Sequence, residues 1–122
     1  MKAALPFVLL WLAAPAAARD LHQICNREDR GQIYDCLVAQ HQSLDRHMGR
    51  AYNQLIARLP AEEVEPLRRA QRAWIAFRDL DCEAAKFRDR GGREELIYHA
   101  ECLILRTRTR SDELTHWLQT AE

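Results

Sequence analysis

Apolar positions recur along this chain at intervals of three and four residues, the period of an amphipathic helix, in three separate stretches. In the first, Leu37, Leu44, Met48, Ala51, Leu55 and Leu59 form one stripe once His41 is admitted to it, which predicts a helix from Ile33 to Leu59. Pro60 closes that helix, because proline lacks the backbone donor that would continue it. In the second, Leu67, Ala70, Trp74 and Phe77 share a stripe. Glu62, Glu63 and Glu65 suit a helix N-terminus, where the macrodipole favours negative charge. Pro66 fits best in a first turn, so the second helix is expected to begin near Glu63 to Glu65 and run to about Asp89. Gly91-Gly92 ends it, since glycine enters the left-handed cap conformation at little cost. The third stretch begins near Arg93 and runs towards Leu118, with Leu96, Ala100, Leu103, Thr107, Leu114 and Leu118 as its stripe and Trp117 beside it. Ser111-Asp112-Glu113-Leu114 has the form of a helix-start signal, which points to a kink or break there. Ahead of the first helix, residues 19–30 are polar and read as an extended or loosely helical arm interrupted at Gly31. No stretch alternates with period two. The expected fold class is all-α: a three-helix up-down-up bundle with an N-terminal arm.

The four cysteines add staples to this bundle. In an antiparallel hairpin, level residues lie equally far from the turn, and Cys82 and Cys102 each stand ten residues from Gly92. That symmetry suggests a disulfide across the second and third helices. Cys25 and Cys36 lie about 16 Å apart along a continuous helix, too far for a bond, so they pair only where the chain folds back, which Gly31 permits. Level arguments alone leave a Cys36–Cys82 bond open, since a turn near position 61 puts Cys36 within one helical turn of Cys82. No C-x-x-C pair occurs, which argues against zinc and against covalently attached haem.

The leader sets the compartment. Lys2, the apolar run Leu5 to Leu12 and the small residues Ala16-Ala17-Ala18 read as a secretory signal peptide over residues 1–18, leaving one domain over residues 19–122. The apolar run is far short of the ~20 residues that span a bilayer, so no stable membrane insertion is expected after cleavage. Cys25 follows His22-Gln23-Ile24 rather than the small residues of a lipobox. An even cysteine count behind an export signal suits a periplasmic or secreted protein with two disulfides. Removing Lys2 leaves 17 basic and 18 acidic residues, a formal net charge of −1. That balance gives no footing for nucleic-acid binding.

Several blocks resemble the LprI-type lysozyme-inhibitor-like family of exported bacterial proteins. They are Cys25 with Cys36; Leu44-Asp45 followed by Tyr52 and Leu55; and Ala70-Gln71-Arg72-Ala73-Trp74-Ile75 with Phe77-Arg78-Asp79 and Cys82. Tyr98, Cys102, Leu103, Arg110 and Leu114 fit its C-terminal pattern. The resemblance covers nearly all of the mature chain. It implies a small disulfide-stapled helical domain, favours the pairing 25–36 and 82–102, and implies an activity of binding and inhibiting lysozyme.

Among individual residues, Trp74 and Phe77 are expected in the core, as such stripes usually are. Guided by the family pattern, Arg78 is expected to pair with Asp45 and fix helix register, with Gln71 and Asp79 beside it. Three partner-binding candidates remain. Arg88, Arg90 and Arg93 at the hairpin tip could reach the paired carboxylates of a lysozyme cleft. Glu62, Glu63 and Glu65 suit a basic partner better over long range. Trp117 is a candidate anchor. Arg106, Arg108 and Arg110 do not share one face. His22, His41, His47, His99 and His116 show no metal-ligand spacing among themselves. With no nucleophile-elbow, phosphate-loop or zincin motif, no enzyme activity and no cofactor are expected. The reading is a monomeric, exported protein-binding domain that blocks lysozyme sterically. Its rival is a non-catalytic structural or stress-related envelope partner without lysozyme activity.

Overall fold

The computed structural model describes residues 24–26 and 29–121. Within them the chain forms three long helices, α1 (Arg30–Arg58), α2 (Ala61–Ala84) and α3 (Glu95–Thr120), with a short 3₁₀ segment, Ala85–Asp89, after α2. There is no strand among the described residues. The expected signal peptide and the first residues of the expected arm lie outside them.

Helix α1 starts three residues before the periodicity predicts. The Asp29 carboxylate accepts a hydrogen bond from the Gln32 backbone N–H at 3.1 Å and caps the helix there. Gly31 therefore lies inside the first turn and is not the point of reversal. The Cys25–Cys36 disulfide joins the segment at Cys25 to α1 with Cα atoms 5.5 Å apart. Helix α2 also starts early, at Ala61, and Pro66 lies within it rather than in its first turn. Its ring costs the helix one N–H donor on an exposed face, which the rest of the helix tolerates. The regular helix ends at Ala84, before the expected Asp89. The Gly91-Gly92 turn follows. Gly91 takes φ of +76°, and a Cβ on Gly92 would come within 2.2 Å of the Asp89 carboxylate. That carboxylate accepts from the Glu94 backbone N–H at 2.8 Å and leads into α3. Helix α3 runs unbroken through Ser111, which is buried; the start signal at that point is overridden by packing.

Helices α1 and α3 run parallel and share most of the core, while α2 runs antiparallel to both. One apolar cluster joins Cys25 and Leu37 to Ile97, Ala100 and Ile104. A second joins Met48, Ala51 and Leu55 to Leu67 and Leu114. Helix α1 buries Leu37, Met48, Ala51 and Leu55 of its expected stripe, with His41, Leu44 and Leu59 half-buried. Helix α3 buries Ala100, Thr107 and Leu114 of its expected stripe together with Ile97 and Ile104, while Leu96 turns to solvent and Leu103 and Leu118 are half-buried. The Cys82–Cys102 disulfide staples α2 to α3 with Cα atoms 5.4 Å apart, the pairing that the hairpin symmetry suggests.

The larger departure concerns α2. Leu67, Gln71, Arg78 and Cys82 face inward. Ala70 is exposed, Trp74 is half-buried and Phe77 is 57% exposed. Two anchors at the ends of the helix, Leu67 in the core and Cys82 in the disulfide, set its rotation. Gln71 and Arg78 lie on the line between them, and Phe77 does not.

Candidate partner-binding surfaces

The inward face of α2 is polar and is satisfied by the other two helices. The Arg78 guanidinium donates through Nη1 to Asp45 Oδ1 on α1 at 3.0 Å and to Thr107 Oγ1 on α3 at 3.3 Å. Its Nε donates to Asp79 Oδ1 at 3.0 Å. One side chain thus ties all three helices, and it is 8% exposed. A turn and a half nearer the other end, Arg110 donates from Nε to Gln71 Oε1 at 3.0 Å and from Nη1 to Glu113 Oε2 at 3.0 Å. Both guanidinium groups also lie near indole rings, Arg78 at 5.4 Å from the Trp74 centroid and Arg110 at 5.1 Å from the Trp117 centroid. Tyr52 packs half-buried on the second apolar cluster. Asp45, Gln71, Trp74, Arg78 and Asp79 therefore form or flank a polar layer between the helices.

His41 sits next to this layer. Burial, and then the positive charge of Arg78, hold its pKa below the ordinary imidazole value. Its Nε2 is buried without a hydrogen-bond partner among the described residues.

The two ends of the bundle differ. At the hairpin tip, Arg88 stacks over the Tyr98 ring at 4.0 Å. Arg90 donates to the Glu83 carbonyl at 3.2 Å and lies 3.8 Å from the Glu83 carboxylate. Arg93 is exposed. Two of the three tip arginines are thus drawn back onto their own chain. At the opposite end a cleft of about 500 Å³ opens between the α1–α2 turn and the end of α3, lined by Leu55, Leu59, Glu63, Pro66, Leu67 and Trp117. The structure here brings together two residues from separate candidate sets, Glu63 and Trp117. Glu62 and Glu65 are exposed on the same first turns of α2, and Trp117 is 43% exposed. Glu65 pairs with Arg72 at 3.2 Å.

The sequence reading missed an apolar face on the outer side of α2 and of the 3₁₀ segment that follows it. Phe77, Leu80 and Phe87 are 57%, 73% and 76% exposed, with Ala73, Ala76 and Ala84 exposed between them. A second three-four register through these positions was the available signal. It is masked by the overlapping Leu67-Ala70-Trp74-Phe77 stripe. Among the described residues no helix is long and apolar enough to cross a membrane, and no group of three or more His, Cys, Asp or Glu side chains could hold a metal ion.

A helical domain with two disulfides and a buried arginine layer defines a class of small stapled α-proteins that fit an oxidising, extracytoplasmic compartment. The family described as "Lysozyme inhibitor LprI" matches residues 25–114, a span that takes in both disulfides and the whole polar layer. The chain belongs to that family. A protein of Rhizobium meliloti (strain 1021), described only as uncharacterized, is 31% identical across all of this chain and 99% of the relative. No solved structure matches.

Proposed function

We propose that this protein binds lysozyme in the extracytoplasmic space and inhibits it by steric blockade, without turnover. The observation that carries this reading is the family match across the stapled domain. The geometry supports one end of the bundle as the contact surface. The cleft that holds Trp117 offers an aromatic anchor beside a hydrophobic recess, the arrangement that concentrates binding energy at protein interfaces. Its rim carries Glu63, with Glu62 and Glu65 nearby, which complement a basic enzyme surface. The hairpin tip is the weaker contender, because Arg88 and Arg90 are engaged by Tyr98 and Glu83.

The test is a titration of the disulfide-bonded mature chain into c-type lysozyme hydrolysing bacterial cell walls, repeated with g-type enzyme. Stoichiometric loss of activity, reversed by excess lysozyme, is the expected result. Trp117→Ala should weaken inhibition by about tenfold or more, the scale of an interface hot spot, while Arg90→Glu leaves it unchanged. Loss of inhibition in Arg90→Glu alone would move the contact to the tip. No effect at tens of micromolar from folded, oxidised protein would remove the lysozyme reading. A second reading, a non-catalytic envelope partner protein, draws on the exposed apolar face of α2, which the Trp117 cleft does not use.

A further inference from the structure

We infer that the groove between α1 and α2 is a binding site for a small organic carboxylate. The groove has a volume of about 380 Å³, within the range of small-ligand sites. Steps of three and four bring Arg68, Arg72, Ile75 and Arg78 to its α2 wall, and Asp45, Met48, Gly49 and Tyr52 to its α1 wall. Glu63, Pro66 and Ala70, which line the Trp117 cleft, lie roughly a third of a revolution away around α2. The groove is thus a separate surface, and the inference does not rest on the lysozyme reading.

Three observations point to an anion in this groove. The first is a set of uncommitted donors. Arg68 is exposed and makes no ion pair or hydrogen bond among the described residues. Arg72 pairs with Glu65 at 3.2 Å, but both side chains are more than half exposed, and such a pair is weak enough to exchange for a better partner. Arg78 donates through Nε and Nη1, while its Nη2 makes no hydrogen bond among the described residues. The lining sets these three guanidinium groups against a single carboxylate, Asp45. The second is repulsion. Arg68 and Arg72 stand one helical turn apart, where like charges oppose each other until a negative group comes between them. The third is Gly49. Glycine inside a helix is unfavourable relative to alanine, yet a Cβ on Gly49 would meet no atom within 4 Å. Packing within this chain therefore does not call for glycine there, and its effect is to keep the α1 wall of the groove open.

The remaining lining selects the class of anion. A guanidinium fork matches a carboxylate through two parallel hydrogen bonds. Asp45 opposes a doubly charged phosphate more than a singly charged carboxylate, and it can accept from a hydroxyl or amide N–H of the same ligand. Met48 and Ile75 offer apolar contact to an attached carbon skeleton, beside the ring and hydroxyl of Tyr52. A peptide terminus and a sugar acid both present this chemistry.

NMR titration of the oxidised mature protein, labelled with nitrogen-15, at low salt tests the proposal. N-acetylalanine represents the peptide terminus and glucuronate the sugar acid; N-acetylalaninamide and glucose are their uncharged counterparts. At least one carboxylate should bind with a dissociation constant of about 1 mM or below and shift amides around Gly49 and Arg72. Its uncharged counterpart should bind at least tenfold more weakly, and the carboxylate that binds tighter identifies the source. Arg68→Gln should weaken binding at least fivefold with the circular dichroism spectrum unchanged, since that side chain is exposed and unpaired. Gly49→Leu should raise the urea midpoint through its helix propensity and yet abolish binding by filling the groove. Absence of these shifts with either carboxylate at about 10 mM would overturn the proposal. So would equal binding of the uncharged counterparts, tighter binding of inorganic phosphate, or a Gly49→Leu variant that binds like the wild type.

Discussion

Arg78 is the side chain on which three helices converge, and its surroundings allow two changes at the same contact to be separated. Asp45→Ala removes the α1 carboxylate and leaves Nη1 donating to Thr107 Oγ1 at 3.3 Å. A buried guanidinium left short of a counter-charge costs about 1–3 kcal/mol, and Asp79, still on Nε, keeps the loss from being larger. Arg78→Met removes the charge itself and lets the half-exposed Asp45 and Asp79 return to water, so it should cost less than Asp45→Ala. Urea unfolding of the two variants decides the order; the reverse order would mean that Arg78 contributes chiefly through packing against Trp74. His41 gives a pH counterpart. Its folded-state pKa is lowered by burial and by Arg78, so the unfolded chain takes up a proton near pH 6.5 before the folded one does. Stability from this site is complete above that pH and falls as acidification proceeds towards the lowered folded pKa. His99, lowered by burial and Lys86, contributes in the same direction. His41→Leu should flatten the fall in urea midpoint between about pH 7 and pH 5; an unchanged slope would assign the pH dependence elsewhere. The Arg78–Asp45 contact was legible in the chain only through the family pattern, because nothing in periodicity distinguishes an inward arginine from a solvated one.

Helix α2 shows why periodicity located every element but misread one face. Its sequence supports two overlapping stripes that share Phe77: Leu67-Ala70-Trp74-Phe77 and Ala73-Phe77-Leu80-Ala84, the second running on to Phe87 in the 3₁₀ segment. Neither is the buried one. The face that turns inward contains Leu67, Gln71, Arg78 and Cys82, chosen by the disulfide and by polar partners that lie on the other helices. Hydrophobicity counts could not reveal this, since those partners are distant in sequence. The hairpin between α2 and α3 was easier to read, because glycine there answers a local backbone demand. Gly91 holds φ of +76° and Gly92 lies against the Asp89 carboxylate. Gly91→Ala should therefore cost about 1 kcal/mol, the price of a left-handed conformation in a residue with a Cβ. Gly92→Ala should cost more, by dislodging Asp89 from the Glu94 N–H that it accepts at the start of α3. Thermal unfolding monitored by circular dichroism gives both values, and equal losses would show that the Asp89 contact adds nothing to the turn.

At the scale of the molecule, the helices are unequally held. Both apolar clusters bridge α1 and α3 along most of their length, whereas α2 supplies Leu67 and the half-buried Trp74 to one of them and otherwise attaches through Arg78, Gln71, Asp81 with Arg106, and the Cys82–Cys102 bond. Its other face is left to solvent or to a partner. A helix held mainly by polar contacts opens at lower free energy than one buried in the core, so the disulfide matters more to α2 than to the pair it is stapled onto. Closing a loop of about 20 residues contributes roughly 3 kcal/mol through the unfolded state. The double variant Cys82→Ala with Cys102→Ala should lose about that much in denaturant unfolding, and hydrogen exchange should place the loss unevenly. Amides of α2 are expected to lose protection first and by the largest factor. Those of α1 and α3 around Leu37, Ile104 and Leu114, which are almost fully buried, should keep most of theirs. Because α2 supplies the wall of the Trp117 cleft through Leu67 and Pro66, the same variant should bind any partner of that cleft more weakly even where α1 and α3 stay paired. Uniform loss of protection across all three helices would instead show a single cooperative unit, with the polar layer around Arg78 coupling α2 to the core as firmly as apolar packing couples α1 to α3.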